Sequence, residues 1–352
     1  ALAIDQWDKR GTDPELFRTA DTVIGFEKEL AANQTIALTI EYAYPEGGEM
    51  GAFRLSCREP GEIPSAERAV ELAARADVAL VFAGLSSEWE SEGYDRLDMD
   101  LPGDQAGLIK AVAAANPRTV VVLNTGSAIH MPWLDDVAAV VQSWYGGQEL
   151  GNAVADVLFG DVNPCGKLPQ TFPARLEDNP AFLNYPGENG RVLYGEGLFV
   201  GYRYYEKKKI APLFPFGFGL SYTTFEIGNL RLSGAEMAPD GALHVSVDVT
   251  NTGGRAGKEV VQLYLRDAES RLVRPGKELK GFAKVALAPG ETKTVTLTVD
   301  REALAYWDDA RQSWVAEAGE FEVLVGTSSQ DIRARARFTL TATGYFGGPG
   351  GS

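Results

Sequence analysis

The 352-residue sequence is poor in several residue types, and each scarcity removes a class of protein. Its two cysteines, Cys57 and Cys165, are too few for a disulfide framework and lie in different predicted elements. Its two histidines, His130 and His244, have no Cys or His partner at the spacing of a zinc site. We therefore expect no metal and no cofactor. With only two histidines in the sequence, a Ser-His-Asp triad is also not expected.

Positive charge and long apolar runs are also scarce. Lys and Arg total 33 against 49 Asp and Glu, a formal net charge of −16, so a nucleic-acid backbone would be repelled. No run of about 18 apolar residues is present to cross a membrane, and the opening residues lack the layout of a signal peptide. We expect neither nucleic acid nor membrane as a partner. The sequence leaves the cellular location of the protein undecided, with secretion slightly favoured over the cytoplasm.

The chain is nevertheless rich enough in apolar residues, at 45%, for two or three domains with cores of their own. Residues 1–60 are interpreted as closing strands of a β-sandwich, because their short alternating runs cannot close a core alone. Residues 61–175 alternate helix and strand signals, which predicts an α/β sandwich with parallel strands. Residues 176–224 form an aromatic, loop-rich connection, residues 225–345 have the strand spacing of a second β-sandwich, and residues 346–352 are a flexible tail.

The most informative stretch is SSEWESEGYDR, residues 86–96, directly after the predicted buried strand DVALVFAG. In an α/β sheet, ligands usually bind at loops that leave the carboxyl ends of strands. Carboxylates crowded in such a loop raise one another's pKa, and an acid that protonates a leaving oxygen near neutral pH needs a raised pKa. The acidic residues are Glu88, Glu90, Glu92 and Asp95. Composition alone leaves a polar exposed loop as the simpler interpretation.

The run WESEGYDR, followed by DLPGDQ at 100–105, resembles the second-domain signature of glycoside hydrolase family 3 β-glucosidases. The runs NTGSAIHMPWL at 124–134 and FPFGFGLSYTTF at 214–225 match the same family in the same order. LKGFAKVALAPGET at 279–292 is similar to the family's fibronectin type III-like domain. The resemblance extends over nearly the whole chain.

This resemblance implies a multidomain α/β plus all-β architecture: an α/β sandwich at 61–175 followed by a fibronectin type III-like sandwich at 225–345. It also implies that residues 1–60 close a β-sandwich of the protective-antigen type, inserted into the α/β sandwich. The family's nucleophile is an Asp in a Ser-Asp-Trp motif of a catalytic barrel, and neither motif nor barrel occurs in this sequence. The chain is therefore expected to be a C-terminal portion whose partner is a barrel-bearing N-terminal segment.

The family's mechanism is retaining: one carboxylate attacks the anomeric carbon, and a second, about 5 Å away, protonates the glycosidic oxygen and then activates water. Carried over residue by residue, the general acid/base is Glu92, the Glu that precedes Gly in the motif, and Glu90 is the runner-up. Trp89 and Tyr94 are candidates for contact with the sugar, although anchoring the loop is the commoner use of such aromatics. The adjacent charges expected to pair and shape the loop are Asp95 and Arg96.

The implied function is hydrolysis of terminal non-reducing β-D-glucosyl residues from a β-glucoside, with a bulky aglycone left open. Another sugar, such as a β-xyloside, also stays open, because the resemblance places most of the sugar pocket in the barrel. The alternative from a different class is a non-catalytic module that binds sugar or a partner protein and retains the family's sequence.

Overall fold

A computed structural model describes residues 66–347 of the protein, together with Gln34, Thr35 and Ala37. Apart from those three residues, the strands predicted at 1–60 lie outside the described residues. The chain divides into two compact units. The first unit ends at Gln142 and the second contains Ser143 to the C-terminus, with Asp98–Asp100 and Ser127–Met131 also assigned to the second unit.

Within residues 66–142, the first unit has a parallel sheet of three strands in the order β1-β2-β3. Its elements are α1 (Ala66–Ala73), β1 (Ala79–Gly84), α2 (Gln105–Ala115), β2 (Thr119–Asn124) and β3 (Ala139–Gln142). The central strand β2 is almost wholly buried, as its apolar run TVVVLN predicts. Gly84 pairs with Asn124, and Leu123 pairs with Gln142, so the three strands end at the same edge of the sheet.

The strand β1 departs from the sequence prediction of a buried strand. Its residues alternate, with Val81 buried while Leu80 and Phe82 are 44% and 66% exposed. Among the described strands β1 lies at one edge of the sheet, and α2, with Ile109 and Val112 buried, packs on one face of the sheet, which covers Val81 and leaves Leu80 and Phe82 on the other face. The prediction of strand and helix positions is confirmed, and the prediction of burial on both faces is wrong.

After Ser143, the second unit continues with helix α3 (Leu150–Phe159), which is followed by Gly160. Gly160 adopts a φ of 81°, a left-handed conformation that glycine accepts without strain and that closes the helix. The connection after α3 is ordered by aromatic rings, with Phe172 and Phe214 centroids 6.2 Å apart and Phe214 stacked on Phe218 at 5.3 Å. Later in this connection, helix α4 (Tyr202–Lys208) ends in a run of three exposed lysines, the last of which follows the helix.

The rest of the second unit is a β-sandwich. A five-stranded sheet has the order β5-β13-β12-β7-β8, a three-stranded sheet has the order β4-β6-β9, and a smaller sheet has the order β10-β11-β14. The bounds are β4 Phe225–Leu232, β5 Glu236–Met237, β6 Leu243–Asn251, β7 Gly257–Asp267, β8 Glu278–Leu287, β9 Thr292–Val299, α5 Arg301–Leu304, β10 Tyr306–Asp308, β11 Ser313–Ala316, β12 Gly319–Gly326, β13 Ile332–Leu340 and β14 Gly344–Phe346.

The core of this sandwich follows the period-two pattern of its strands. In β6 the residues Leu243, Val245 and Val247 are buried, while the intervening His244 is exposed, because successive side chains of a strand point to opposite faces. These residues join one apolar cluster with side chains of the other sheet, among them Phe321 and Phe338, whose rings stack at 5.7 Å. The sandwich therefore has a core drawn from its own strands.

The start of the predicted tail is wrong by one residue. Phe346 belongs to β14 and pairs with Trp314 of β11, and the guanidinium of Arg301 lies 4.6 Å from the centre of its ring. Pairing and ring contact hold Phe346, and residues 348–352 of the predicted tail lie outside the described residues. Within residues 66–347, no helix combines the length and apolar character needed to cross a membrane.

Candidate active site

The loop that carries the acidic cluster starts from a fixed point, Gly84 at the carboxyl end of β1. The side-chain oxygen of Gln105 accepts a hydrogen bond from the Gly84 N–H at 2.9 Å, and its amide nitrogen donates to the Gly84 carbonyl at 3.1 Å. A Cβ at position 84 would lie 2.3 Å from the carbonyl oxygen of Asn124 on β2. Only glycine fits this approach of the two strands, so the loop leaves the sheet at a defined place.

The body of the loop is braced by its own backbone and by one tyrosine. The N–H groups of Trp89 and Glu90 both donate to the Ser86 carbonyl, at 2.9 and 3.0 Å, which forms a compact turn. The hydroxyl of Tyr94 donates to the Ser87 carbonyl and so ties the far side of the loop back to its beginning. The two sides of the loop are thus joined to each other by hydrogen bonds.

Glu92 lies at the tip of this loop. Ser91 and Tyr94 form a short antiparallel bridge, and the hydroxyl of Ser91 accepts a hydrogen bond from the Gly93 N–H at 3.1 Å. This tight turn leaves Glu92 exposed to solvent. Its carboxylate is therefore accessible to a ligand brought to the carboxyl edge of the sheet.

Glu90 has a different environment from Glu92. Its Oε2 atom accepts a hydrogen bond of 2.8 Å from the N–H of Gly126, just after β2 and 36 residues along the chain. The segment at Gly126 is itself held, because the side-chain amide of Gln142 on β3 donates to the carbonyl of Thr125 at 2.9 Å. Thr125 is fully buried. The two strongest candidates from the sequence thus lie two residues apart, one bound to the sheet edge and the other at the loop tip.

The remaining candidates occupy the same loop. Trp89 is 49% exposed, whereas Tyr94 is half-buried with its hydroxyl bound to the backbone. Asp95 is exposed and Arg96 is half-buried, and their pairing stays a prediction. Glu88 is exposed, with its N–H donating to the Ser86 hydroxyl at 3.3 Å.

Two residues that position the loop were not singled out from the sequence. Gln105 lies in the run DLPGDQ and Gly126 in the run NTGS, and both runs follow the carboxyl ends of strands in the sequence pattern. That common location is the signal that could have found them, because the carboxyl ends of parallel strands meet at one edge. Over residues 66–347, no group of three or more Cys, His, Asp or Glu side chains is arranged to hold a metal ion.

Comparison with known proteins matches the chain to two family models. The model described as the glycosyl hydrolase family 3 C-terminal domain matches residues 22–222, and the model described as a fibronectin type III-like domain matches residues 259–329. A β-glucosidase of Rhizobium radiobacter is 49% identical over 348 residues, which cover 96% of this chain and 42% of that protein. The thermostable β-glucosidase B of Acetivibrio thermocellus is 53% identical over 78% of this chain and 36% of its own length.

Solved structures give the same result. The crystal structure of the β-glucosidase from Kluyveromyces marxianus in complex with glucose superimposes with a TM-score of 0.77 and 51% identity, over 81% of this chain and 34% of that one. The chain thus spans less than half the length of these relatives. The predicted fold class, an α/β sandwich followed by a fibronectin type III-like β-sandwich, is confirmed. The chain belongs to glycosyl hydrolase family 3, of which it contains the C-terminal domain and the fibronectin type III-like domain.

Proposed function

We propose that this chain is the acid/base-bearing part of a retaining β-glucosidase, and that Glu92 is the general acid/base. The observation that carries the proposal is the position of Glu92, exposed at the tip of a braced loop that leaves the carboxyl end of β1. The chain belongs to a family whose relatives include proteins named β-glucosidases, and one of them is titled as a complex with glucose.

In this mechanism the two carboxylates have separate tasks. The nucleophile, an Asp of a barrel segment outside this chain, attacks the anomeric carbon while Glu92 gives its proton to the departing glycosidic oxygen. Glu92, now ionised, takes a proton from water as the water oxygen attacks the anomeric carbon, and the bond to the Asp breaks. Two displacements on one carbon restore the β configuration, so the product is β-glucose.

The aromatic residues of the loop divide between binding and support. The hydroxyl of Tyr94 is engaged with the Ser87 carbonyl, which favours a supporting role, whereas Trp89 exposes half of its surface. An exposed indole offers an apolar face for the C–H side of a sugar ring. We therefore place Trp89 against the substrate, and keep Asp95 and Arg96 as residues that shape the loop.

The test is Glu92→Gln in a polypeptide that also contains the barrel. Because glutamine cannot donate the proton, kcat/KM for alkyl β-glucosides should fall about 10²- to 10⁴-fold, and much less for a dinitrophenyl glucoside whose leaving group needs no proton. Azide should attack the glycosyl-enzyme without a general base, raise turnover of the activated substrate and yield β-glucosyl azide.

The matched control is Glu88→Gln, an exposed carboxylate of the same loop, which should leave the rates unchanged. Unchanged rates in Glu92→Gln would remove Glu92 from the mechanism. If the barrel-containing protein hydrolyses no aryl β-glycoside while this chain alone binds glycan, the chain is a non-catalytic binding module. If it hydrolyses a β-xyloside in preference to the glucoside, the sugar assignment is wrong and the role of Glu92 is unaffected.

A further inference from the structure

The hydrogen bond between Glu90 and Gly126 joins two segments that leave different strands of the sheet. The carboxylate Oε2 of Glu90 accepts the Gly126 N–H at 2.8 Å, well within the range of N–H···O hydrogen bonds. Gly126 follows β2, and Gly84, where the loop begins, ends β1. The loop is therefore attached to the sheet edge at its root through Gly84 and again near its tip through Glu90.

The anchor at Gly126 adjoins a residue that is buried and hydrogen-bonded to the next strand. The preceding residue, Thr125, is fully buried, and its carbonyl and hydroxyl oxygens accept hydrogen bonds from the Gln142 side chain at 2.9 and 3.0 Å. A chain of contacts thus runs from β3 through Thr125 and Gly126 to Glu90. Through these contacts, the position of the Glu90 side chain is fixed by the central sheet and not by the surface loop alone.

Glu92 is two residues beyond the attachment point. The intervening Ser91 begins the tight turn that holds Glu92 at the tip, so a movement of Glu90 is transmitted directly to that turn. Without the bond to Gly126, the loop would keep its internal bond from Tyr94 to Ser87 but could pivot about its root. Such pivoting changes where the tip lies without unfolding the loop.

We propose that Glu90 is a positioning residue for Glu92: its carboxylate, bound to the Gly126 amide, sets where the loop tip presents the Glu92 carboxyl to the sugar. This inference rests on the proposed function of Glu92. It also gives Glu90, the runner-up for acid/base, a role in which its carboxylate is an acceptor of a backbone hydrogen bond and exchanges no proton with the substrate.

Two variants separate this role from acid/base catalysis. Glu90→Gln keeps a side-chain oxygen that can accept the Gly126 N–H, whereas Glu90→Ala removes the acceptor. In barrel-containing protein, Glu90→Ala should lower kcat about 10- to 100-fold with KM within about threefold, since displacement of a reacting group by about 1 Å costs up to 10²-fold. Glu90→Gln should stay within about threefold of the parent protein and keep the shape of its pH profile.

A second readout needs no activity. In this chain alone, hydrogen exchange of the Gly126 amide should be at least about tenfold faster in Glu90→Ala than in the parent protein, and close to the parent rate in Glu90→Gln. Glu88→Ala is the matched control and should leave the exchange of Gly126 unchanged, because the Glu88 contact within the loop uses its backbone N–H. Equal melting temperatures of the variants would show that the loop change is local.

The outcomes are distinct. If Glu90→Gln loses as much kcat as Glu90→Ala and its pH profile shifts, Glu90 is itself the acid/base and the inference is overturned. If Glu90→Ala retains full kcat, or if Gly126 exchanges no faster, the bond does not position the loop and the inference is again wrong. If exchange behaves as expected but Glu92→Gln retains full activity, the bond is real and it is the proposed function of Glu92 that fails.

Discussion

Replacing Gly84 by alanine should disturb the sheet edge on which the acidic loop depends. An added Cβ would lie 2.3 Å from the carbonyl oxygen of Asn124 and 3.0 Å from its carbonyl carbon, whereas ordinary contacts begin at 3.4 Å. Both atoms are backbone atoms of a buried, paired strand, so no side chain can rotate away. The ends of β1 and β2 must separate by about 1 Å, and overpacking of this kind costs about 1–3 kcal/mol of unfolding free energy.

The same displacement should reach the loop. Separation of the strands would stretch the bond from Leu85 N–H to the Asn124 carbonyl, now 3.1 Å, and the two bonds between Gly84 and Gln105. Because the loop starts there, we expect its tip to move by a similar distance. In barrel-containing protein, kcat/KM should then fall about 10- to 100-fold, the cost of misplacing a catalytic group by about 1 Å.

The assay combines urea unfolding with hydrogen exchange of peptides from β1 and β2, which reports on the first unit separately from the β-sandwich. Gly151→Ala in α3 is the matched control, since an added Cβ there meets no atom within 4 Å. That control should be neutral or stabilising by up to about 1 kcal/mol, the helix preference of alanine over glycine. A Gly84→Ala protein with parental exchange, stability and activity would refute the reasoning from close strand approach.

Two further predictions concern the β-sandwich. Asn251 is fully buried, and its side-chain amide donates to the carbonyls of Arg255 and Leu287 at 2.7 and 3.2 Å. Asn251→Asp replaces that donor by an oxygen facing two carbonyls and should lower the unfolding free energy by about 2–4 kcal/mol in urea titrations, where a loss below about 1 kcal/mol would contradict it. Hydrogen bonds, first of all from Arg231, hold the pKa of Asp248 below its ordinary value, so this carboxylate stabilises the fold above pH of about 4 and loses that contribution as the pH falls further. The stability difference between the parent protein and Asp248→Asn should therefore shrink from pH 5 to pH 3 in urea titrations, and a constant difference would show that the carboxylate is not the cause.

The positions of helices and strands were predictable because apolar periodicity reports them directly. The spacing of apolar residues along the chain is enough to predict helix α2, in which Ile109 and Val112 are buried. A continuous apolar run is enough to predict the buried strand β2. Periodicity does not say which face of a strand is covered, so the exposure of Leu80 and Phe82 was missed. Strands of three or four residues such as β10 and β14 are too short to show alternation, and their pairing comes from the fold.

The sequence singles out candidate residues for the site, and their identity as site residues stays a prediction; it does not give their contacts. The acidic run after β1 and its family resemblance singled out Glu92 and Glu90 together, with nothing in the sequence to separate their environments. Their difference depends on the amide of Gly126, which is 36 residues from Glu90 and becomes a neighbour only through the parallel pairing of β1 with β2. Register between distant strands is set by tertiary packing, so a local pattern cannot contain it.

The self-bonded form of the loop has a consequence for affinity. The bond from the Tyr94 hydroxyl to the Ser87 carbonyl closes the loop around a turn in which the Ser86 carbonyl accepts the N–H groups of Trp89 and Glu90. A ligand that binds here therefore does not have to order the loop. The conformational entropy of ordering the loop is lost once, during folding, and not again at each binding event. If a sugar binds at this edge, as proposed, its affinity consequently depends on its own contacts with the protein and not on the cost of ordering the loop.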